Sequence, residues 1–95
     1  MELRFTWDPN KALANQRRRH RISFQEASTA FYDPLSLTIP DTLHALGEER
    51  LVLVGLTDRG TLVVVVHLDH GQEIRLISAR RAMPHERRAY EEELD

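Results

Sequence analysis

The sequence contains no cysteine, and it has no apolar run that approaches the ~20 residues needed to span a membrane. Without cysteine the chain can form neither a disulfide framework nor a thiolate metal site. This excludes the disulfide-stabilised secreted scaffolds and fits an intracellular setting. The first residues, MELRFTWDP, lack the basic and then apolar pattern of a signal peptide. We therefore expect a cytoplasmic protein that does not associate with membranes.

Lysine is almost absent, since twelve of the thirteen basic residues are arginine and Lys11 is the exception. The formal net charge of −2 argues against a uniformly basic nucleic-acid binder. The arginines are instead concentrated within residues 17–21, 75–81 and 87–88. Arginine presents a planar pair of donors that suits phosphate. A solvated, salt-bridged surface is the simpler interpretation of any single arginine.

The segment from Arg50 to Ala82 predicts three consecutive strands. Leu51–Leu56, Leu62–Leu68 and Glu73–Ala79 are apolar or alternating, and the second contains four consecutive valines. Two short turns, containing Gly60 and the pair His70-Gly71, separate the strands. Such short connections predict antiparallel hairpins, with the valine strand at the centre of the sheet.

The other predicted elements complete an α+β domain. Leu3–Trp7 and Leu35–Ile39 alternate as strands do, and a long connection at residues 40–49 follows the second of them. Three helices are predicted from their start signals: Asp8-Pro9, a capping box at Ser23, and Pro84. The first should end near Arg19 and the second at Asp33-Pro34. The order β-α-α-β-β-β-β-α, in a chain of 95 residues, predicts one domain with an antiparallel sheet and helices on one side.

Four segments of the chain, in order, resemble the BrnT toxins of type II toxin–antitoxin systems. They are FTWDPNKALANQRRRHRISFQEA, DPLSLTIPD, GEER and RLISARRAMPHERRAYEE. The resemblance spans nearly the whole chain and implies a single toxin domain over residues 1–95 with a RelE-like fold. Two positions depart from the family pattern: Arg21 stands where a glycine is usual, and Met83-Pro84 stands where a Thr or Ser cap is common.

The resemblance also implies a function and partners. BrnT toxins cleave RNA without a metal, so an RNA substrate and no cofactor are expected. A co-expressed, BrnA-like antitoxin is expected to neutralise the protein, and the complex is expected to bind operator DNA only through that antitoxin. Lys11 becomes a site residue by this resemblance, whereas composition alone makes it a surface residue.

Five residues are candidates for the chemistry of metal-free RNA cleavage, which needs proton transfer and cations that stabilise phosphate charge. Arg75 and Arg80 are the phosphate candidates. Because they lie five residues apart on one strand, they can converge only if that strand ends or bulges before Arg80. His67 is the most natural acid or base, although a histidine with a structural partner is as compatible with its position. Lys11 and Arg50 complete the set, and Arg50 could instead pair with a neighbouring glutamate.

Two functions of different classes follow from these residues. The first is a toxin ribonuclease that inhibits translation. The second is a non-catalytic module that binds RNA or a protein through the same basic face. The sequence HLDH, at residues 67–70, has brief metal-like spacing, but its side chains diverge on a strand that enters a turn, so no metal site is predicted.

Overall fold

The computed structural model describes residues 2–18, 22–41 and 49–92. Its elements in chain order are β1 (Arg4–Thr6), α1 (Pro9–Gln16), α2 (Phe24–Thr29), a 3₁₀ turn (Ala30–Tyr32), β2 (Leu37–Pro40), β3 (Arg50–Leu56), β4 (Leu62–His70), β5 (Glu73–Arg81) and α3 (Pro84–Glu92). The strands form a five-stranded sheet in the order β1-β5-β4-β3-β2. The predicted α+β class is confirmed.

β4 lies at the centre of the sheet, as its four valines predict. It pairs with β3 and β5 in antiparallel hairpins. Gly60 and Gly71 occupy the two turns with φ angles of 80° and 69°. These left-handed conformations cost glycine nothing, and a residue with a Cβ adopts them at a penalty. The predicted hairpins are therefore confirmed.

The sheet is mixed, so the prediction of a wholly antiparallel sheet is wrong. β1 pairs with β5 in parallel, with Arg4 opposite Glu73 and Thr6 opposite Arg75. The Arg4 amide also donates to the Gln72 carbonyl at 2.8 Å. A parallel pair requires a long crossover connection, and here α1, α2 and three strands intervene between the two partners. The lengths of the hairpin turns therefore could not predict a pairing between strands so far apart in the sequence.

A β-bulge interrupts β5. His67 lies opposite Leu76, and Val66 lies opposite Ser78, so Ile77 is an extra residue in the strand. An extra residue reverses the alternation of side chains beyond it. Arg75 lies opposite Leu68 and Arg80 opposite Val64, so both arginines belong to the same face of the sheet. We call this the arginine face, and the opposite side the core face.

The core face is covered by α2 and the 3₁₀ turn. Phe24, Ala27 and Ala30 are buried there against alternate residues of the central strands, among them Val65 and Leu76. The helix begins where the sequence predicts, because the Ser23 hydroxyl accepts a hydrogen bond from the Glu26 amide at 3.1 Å. This cap satisfies one of the unpaired amides of the first turn.

α3 lies on the arginine face, so the prediction that all helices share one side is wrong. Glu86 in its first turn binds Arg80. Near its other end the Tyr90 side chain is only 4% exposed. The Tyr90 hydroxyl donates to the Asp33 carboxylate at 2.6 Å. α3 has few apolar residues, and these polar contacts anchor both ends of the helix.

Two further expectations concern the ends of elements. α1 ends at Gln16, with Arg17 as its C-cap, and therefore does not reach Arg19. The long connection predicted for residues 40–49 falls largely on residues 42–48, outside the described part of the chain. Within residues 2–18, 22–41 and 49–92, no helix has the length and apolar character needed to cross a membrane.

Candidate functional site

A pocket of about 300 Å³ opens between α1 and the arginine face of the sheet. Its lining residues come from three separate segments of the chain: Lys11, Ala14, Asn15, Arg18, Arg50, Ile77 and Ser78. Three of them carry a positive charge and one carries a hydroxyl. The cations converge although they come from distant segments of the chain, and an anion is the ligand that this combination suits.

α1 brings Lys11 to the pocket. The Asp8 carboxylate accepts a hydrogen bond from the Asn10 amide at 2.8 Å, and Pro9 occupies the first helical turn. These two residues fix the start of the helix and therefore the direction of its first turn. Lys11 and Asn15 are four residues apart, so both face the pocket.

Arg50 and Arg75 lie in one row across the arginine face. Arg50 is opposite Leu68 on one side, and Arg75 is opposite Leu68 on the other. At the usual strand spacing their Cα atoms are about 10 Å apart. Leu68 itself is buried, with 8% exposure. The row therefore has one guanidinium group on each side of an apolar residue, next to the pocket.

Arg80 is engaged by α3. Its two terminal nitrogens donate to the two Glu86 oxygens, each at 2.7 Å. Glu86 Oε1 also accepts from the Met83 amide at 2.8 Å, which caps the first turn of α3. These two hydrogen bonds hold the pKa of Glu86 below its usual value, and the same bonds raise the pKa of Arg80. The Glu86 carboxylate therefore offsets the positive charge of Arg80, which the sequence predicts to bind phosphate.

His67 is a core residue. It shares the core face with Val63 and Val65, and it is 2% exposed. The Phe31 ring packs edge-on against it, with centroids 4.8 Å apart. Neither imidazole nitrogen has a hydrogen-bond partner among the described residues. Burial lowers the pKa of His67, and Asp69 offsets part of that shift. The position of His67 is therefore part of the core and not of a polar site at its edge.

Asp33 connects α3 to the end of β3. Its carboxylate accepts hydrogen bonds from Tyr90 at 2.6 Å and from the Leu56 amide at 2.8 Å. Burial works against ionisation of Asp33, but these bonds and one from Leu35 outweigh it and lower its pKa. Burial, together with the bond to Asp33, raises the pKa of Tyr90 to about 12. The contacts of Asp33 and Tyr90 therefore hold α3 against the sheet.

The structure thus divides the five predicted site residues. Lys11 and Arg50 meet at the pocket, Arg75 lies beside it, and Arg80 and His67 are engaged elsewhere. Sequence reasoning missed Arg18, Ser78 and Asn15 as pocket residues. Arg18 belongs to the noted basic segment, and Ser78 could be assigned to this face only with the bulge in β5. Asn15 gives no signal in the sequence that distinguishes it from an exposed helical amide.

The comparison with known families agrees with the resemblance described above. The model of a family described as "Ribonuclease toxin, BrnT, of type II toxin-antitoxin system" matches residues 7–86. The match includes α1, the whole sheet except β1, and the start of α3. No curated protein matches the chain. Because the family model covers most of the chain, this protein belongs to the BrnT ribonuclease toxins of type II toxin–antitoxin systems.

Proposed function

We propose that this toxin cleaves RNA without a metal and thereby inhibits translation, with its reaction centre at the pocket between α1 and the arginine face. The observation that carries the proposal is the convergence of Lys11, Arg18 and Arg50 there, with Arg75 in the adjacent row. Charged donors held in place stabilise the negative charge that develops on a phosphate during cleavage. The RNA substrate is a reason to expect a cytoplasmic location.

Arg50 and Arg75 bind the scissile phosphate and its neighbour in this mechanism. The 2′-hydroxyl of the RNA attacks the adjacent phosphorus and passes its proton to solvent. The bond from phosphorus to the 5′-oxygen breaks, and the Lys11 ammonium donates a proton to that leaving oxygen. The products are a 2′,3′-cyclic phosphate and a 5′-hydroxyl.

The position of Lys11 supports a functional role. It lies in the first turn of α1, at the positive end of the helix dipole, where acidic side chains are favoured and a cation is disfavoured by a few tenths of a kcal/mol. A residue that opposes local stability in this way is more often retained for function than for folding. His67 and Arg80 have no part in this reaction centre, because one is buried and the other is paired with Glu86.

The family implies the partner. A cognate, BrnA-like antitoxin neutralises the toxin in this proposal by placing carboxylates over the exposed cations of the arginine face. The antitoxin then carries the complex to operator DNA. The proposal treats the chain as one toxin domain with a RelE-like fold, and the continuous sheet and the match over residues 7–86 support this.

A non-catalytic binding module is the second candidate, and the burial of His67 favours it. The side chain best suited to acid–base chemistry at neutral pH lies in the core, 2% exposed. A pocket lined with cations can bind RNA phosphates without cleaving them. The two functions make the same prediction for binding and different predictions for strand scission.

A cleavage assay with end-labelled single-stranded RNA in excess EDTA separates them. We expect the wild-type protein to cut the RNA and to leave 2′,3′-cyclic phosphate ends. Arg75→Ala and Lys11→Ala should each slow cleavage by roughly 10²–10³-fold, the usual effect of removing one charge-stabilising or proton-transfer group. Circular dichroism should show that both variants remain folded.

Arg59→Ala is the matched control. Arg59 is exposed in the turn after β3, at the opposite end of that strand from Arg50, and should be dispensable. Cleavage that requires an added divalent metal would contradict the proposed mechanism. Binding that depends on Lys11 and Arg75, without any cleavage by the wild-type protein, would establish the binding module instead.

A further inference from the structure

α1 is attached to the rest of the fold by few apolar contacts. Leu13 is 55% exposed, and Ala12 is the apolar side chain of the helix that packs against the core. Asn15 is the buried residue of this helix, with 6% exposure. The position of α1 against the sheet therefore depends on what the Asn15 amide binds.

Asn15 occupies the free edge of β5 as a neighbouring strand would. Its nitrogen donates to the Ala79 carbonyl at 2.8 Å, and its oxygen accepts from the Ala79 amide at 3.1 Å. The second hydrogen of the nitrogen serves the Ile22 carbonyl, also at 2.8 Å. β1 covers the β5 edge only from Glu73 to Arg75, so it leaves Ala79 open to this contact. Both donors and the acceptor of one side chain are used.

Asn15 lies between the two charged pocket residues of the N-terminal segment. Lys11 precedes it by one helical turn, and the Arg18 amide donates to its backbone carbonyl at 3.2 Å. Ser78, which also lines the pocket, precedes Ala79 in β5. A shift of the Asn15 amide along the strand edge would therefore move Lys11 relative to Arg50 across the pocket.

We propose that Asn15 is a positioning residue. Its amide fixes the separation between Lys11 on α1 and Arg50 on the sheet, so that both can reach one phosphate group. This inference rests on the proposed function of the pocket as a phosphate site. Asn15 itself does not contact the RNA, because its polar groups are already engaged with Ala79 and Ile22.

The salt dependence of RNA binding tests this role separately from stability. The probe is a single-stranded RNA with 2′-O-methyl groups throughout, which has no nucleophile for cleavage. The logarithm of its binding constant falls linearly with the logarithm of salt concentration, with a slope of about 0.7 for each phosphate contact. Lys11→Ala should lower this slope by about 0.7, and Asn15→Ala should do the same although it removes no charge.

The double variant Lys11→Ala/Asn15→Ala should have nearly the slope and affinity of Asn15→Ala alone, because the two changes disrupt the same contact. Gln16→Ala is the matched control, since Gln16 is an exposed neighbour on α1 and should keep the wild-type slope. A purely structural role would make Asn15→Ala less stable without changing the slope of the folded protein.

Asn15→Gln keeps the test decisive if Asn15→Ala fails to fold. Glutamine retains the amide, and its extra methylene displaces α1 from β5, so a lower slope is expected in a folded protein. If the wild-type protein binds without salt dependence, or Lys11→Ala keeps the wild-type slope, the phosphate site and this inference both fail. If Lys11→Ala behaves as expected and the folded Asn15 variants keep the wild-type slope, only the positioning role is overturned.

Discussion

His67 occupies a site in which an imidazole gains nothing from its polarity. It is 2% exposed, packs against Phe31, and has no hydrogen-bond partner among the described residues. Leaving a buried polar group unpaired typically costs about 1–3 kcal/mol. The toxin therefore carries a destabilising side chain in the middle of its core.

The substitution His67→Leu should raise the free energy of unfolding by about 1 kcal/mol, because leucine fills a similar volume without an unpaired polar atom. The effect should depend on pH. The pKa of His67 is lowered in the folded state, so the wild-type protein should lose stability as the pH falls below the ordinary value of 6.5. Urea unfolding across that range should give a flatter pH dependence for the variant.

RNA cleavage by the same variant provides a second readout. The exposed His70, at the end of β4, offers a matched control in His70→Leu, which removes no buried polar group and should not raise the free energy of unfolding. Retained cleavage in His67→Leu is expected from the proposed site. A folded His67→Leu protein that no longer cleaves RNA would return His67 to the reaction.

α3 shows how an element with few apolar residues can still be fixed. Glu86 joins its first turn to Arg80, and Tyr90 joins its last turns to Asp33. The cap that the Met83-Pro84 sequence lacks is supplied by the Glu86 carboxylate, which accepts from the Met83 amide. The helix is therefore attached at both ends by charged or buried polar contacts.

The contact between Tyr90 and Asp33 should make the protein sensitive to alkaline pH. The pKa of Tyr90 rises from its ordinary value of 10.0 to about 12 in the folded state. A pKa that is raised in the folded state stabilises the protein at pH values below the pKa of the unfolded state. This stabilisation is lost as the pH rises from 10 toward 12. Tyr90→Phe should lower the free energy of unfolding at neutral pH by about 1–2 kcal/mol and flatten this alkaline decline.

Denaturant titrations between pH 8 and 12 would measure both effects. Tyr32→Phe is the control, because Tyr32 is 59% exposed and should leave the curve unchanged. An alkaline decline of the same size in Tyr90→Phe and in the wild-type protein would show that another group is responsible.

The whole molecule is organised around β4, which has a paired strand on each side and buried residues on both faces. Hydrogen exchange should therefore be slowest at the amides of Val63 to Val66 and faster in the edge strand β2. Mass spectrometry of peptides, or NMR of single amides, would measure the difference. Exchange in β4 as fast as in β2 would contradict this arrangement.

The sequence predicted the parts of the fold that local patterns determine. The valine strand, the two glycine turns and the caps at Asp8 and Ser23 all lie where their neighbours in sequence require. No local pattern in the sequence predicts the parallel pairing of β1 with β5, because the residues of β1 are compatible with either edge of the sheet. The extra residue in β5 is equally hidden, since the alternation before it is regular.

The residue types of the candidate site could be predicted from the sequence, but their arrangement in space could not. Arginine at the end of the sheet and the single lysine were identified as candidates, and Lys11 and Arg50 do line one pocket. The separation of Arg80 from that pocket depends on Glu86, and the burial of His67 depends on Phe31. Both are contacts between segments that are distant in sequence, which patterns of spacing cannot determine.

The bulge at Ile77 also limits how β5 can change in evolution. Before it the even-numbered residues Ile74 and Leu76 face the core, and after it Ala79 does. A regular strand of the same length would turn its first half over and bring Arg75 into the core. Deleting the extra residue together with the bulge would instead leave both faces of the strand as they are. Loss of the residue at position 77 should therefore be accessible in natural relatives, whereas a one-residue insertion or deletion elsewhere in β5 would turn part of the strand over.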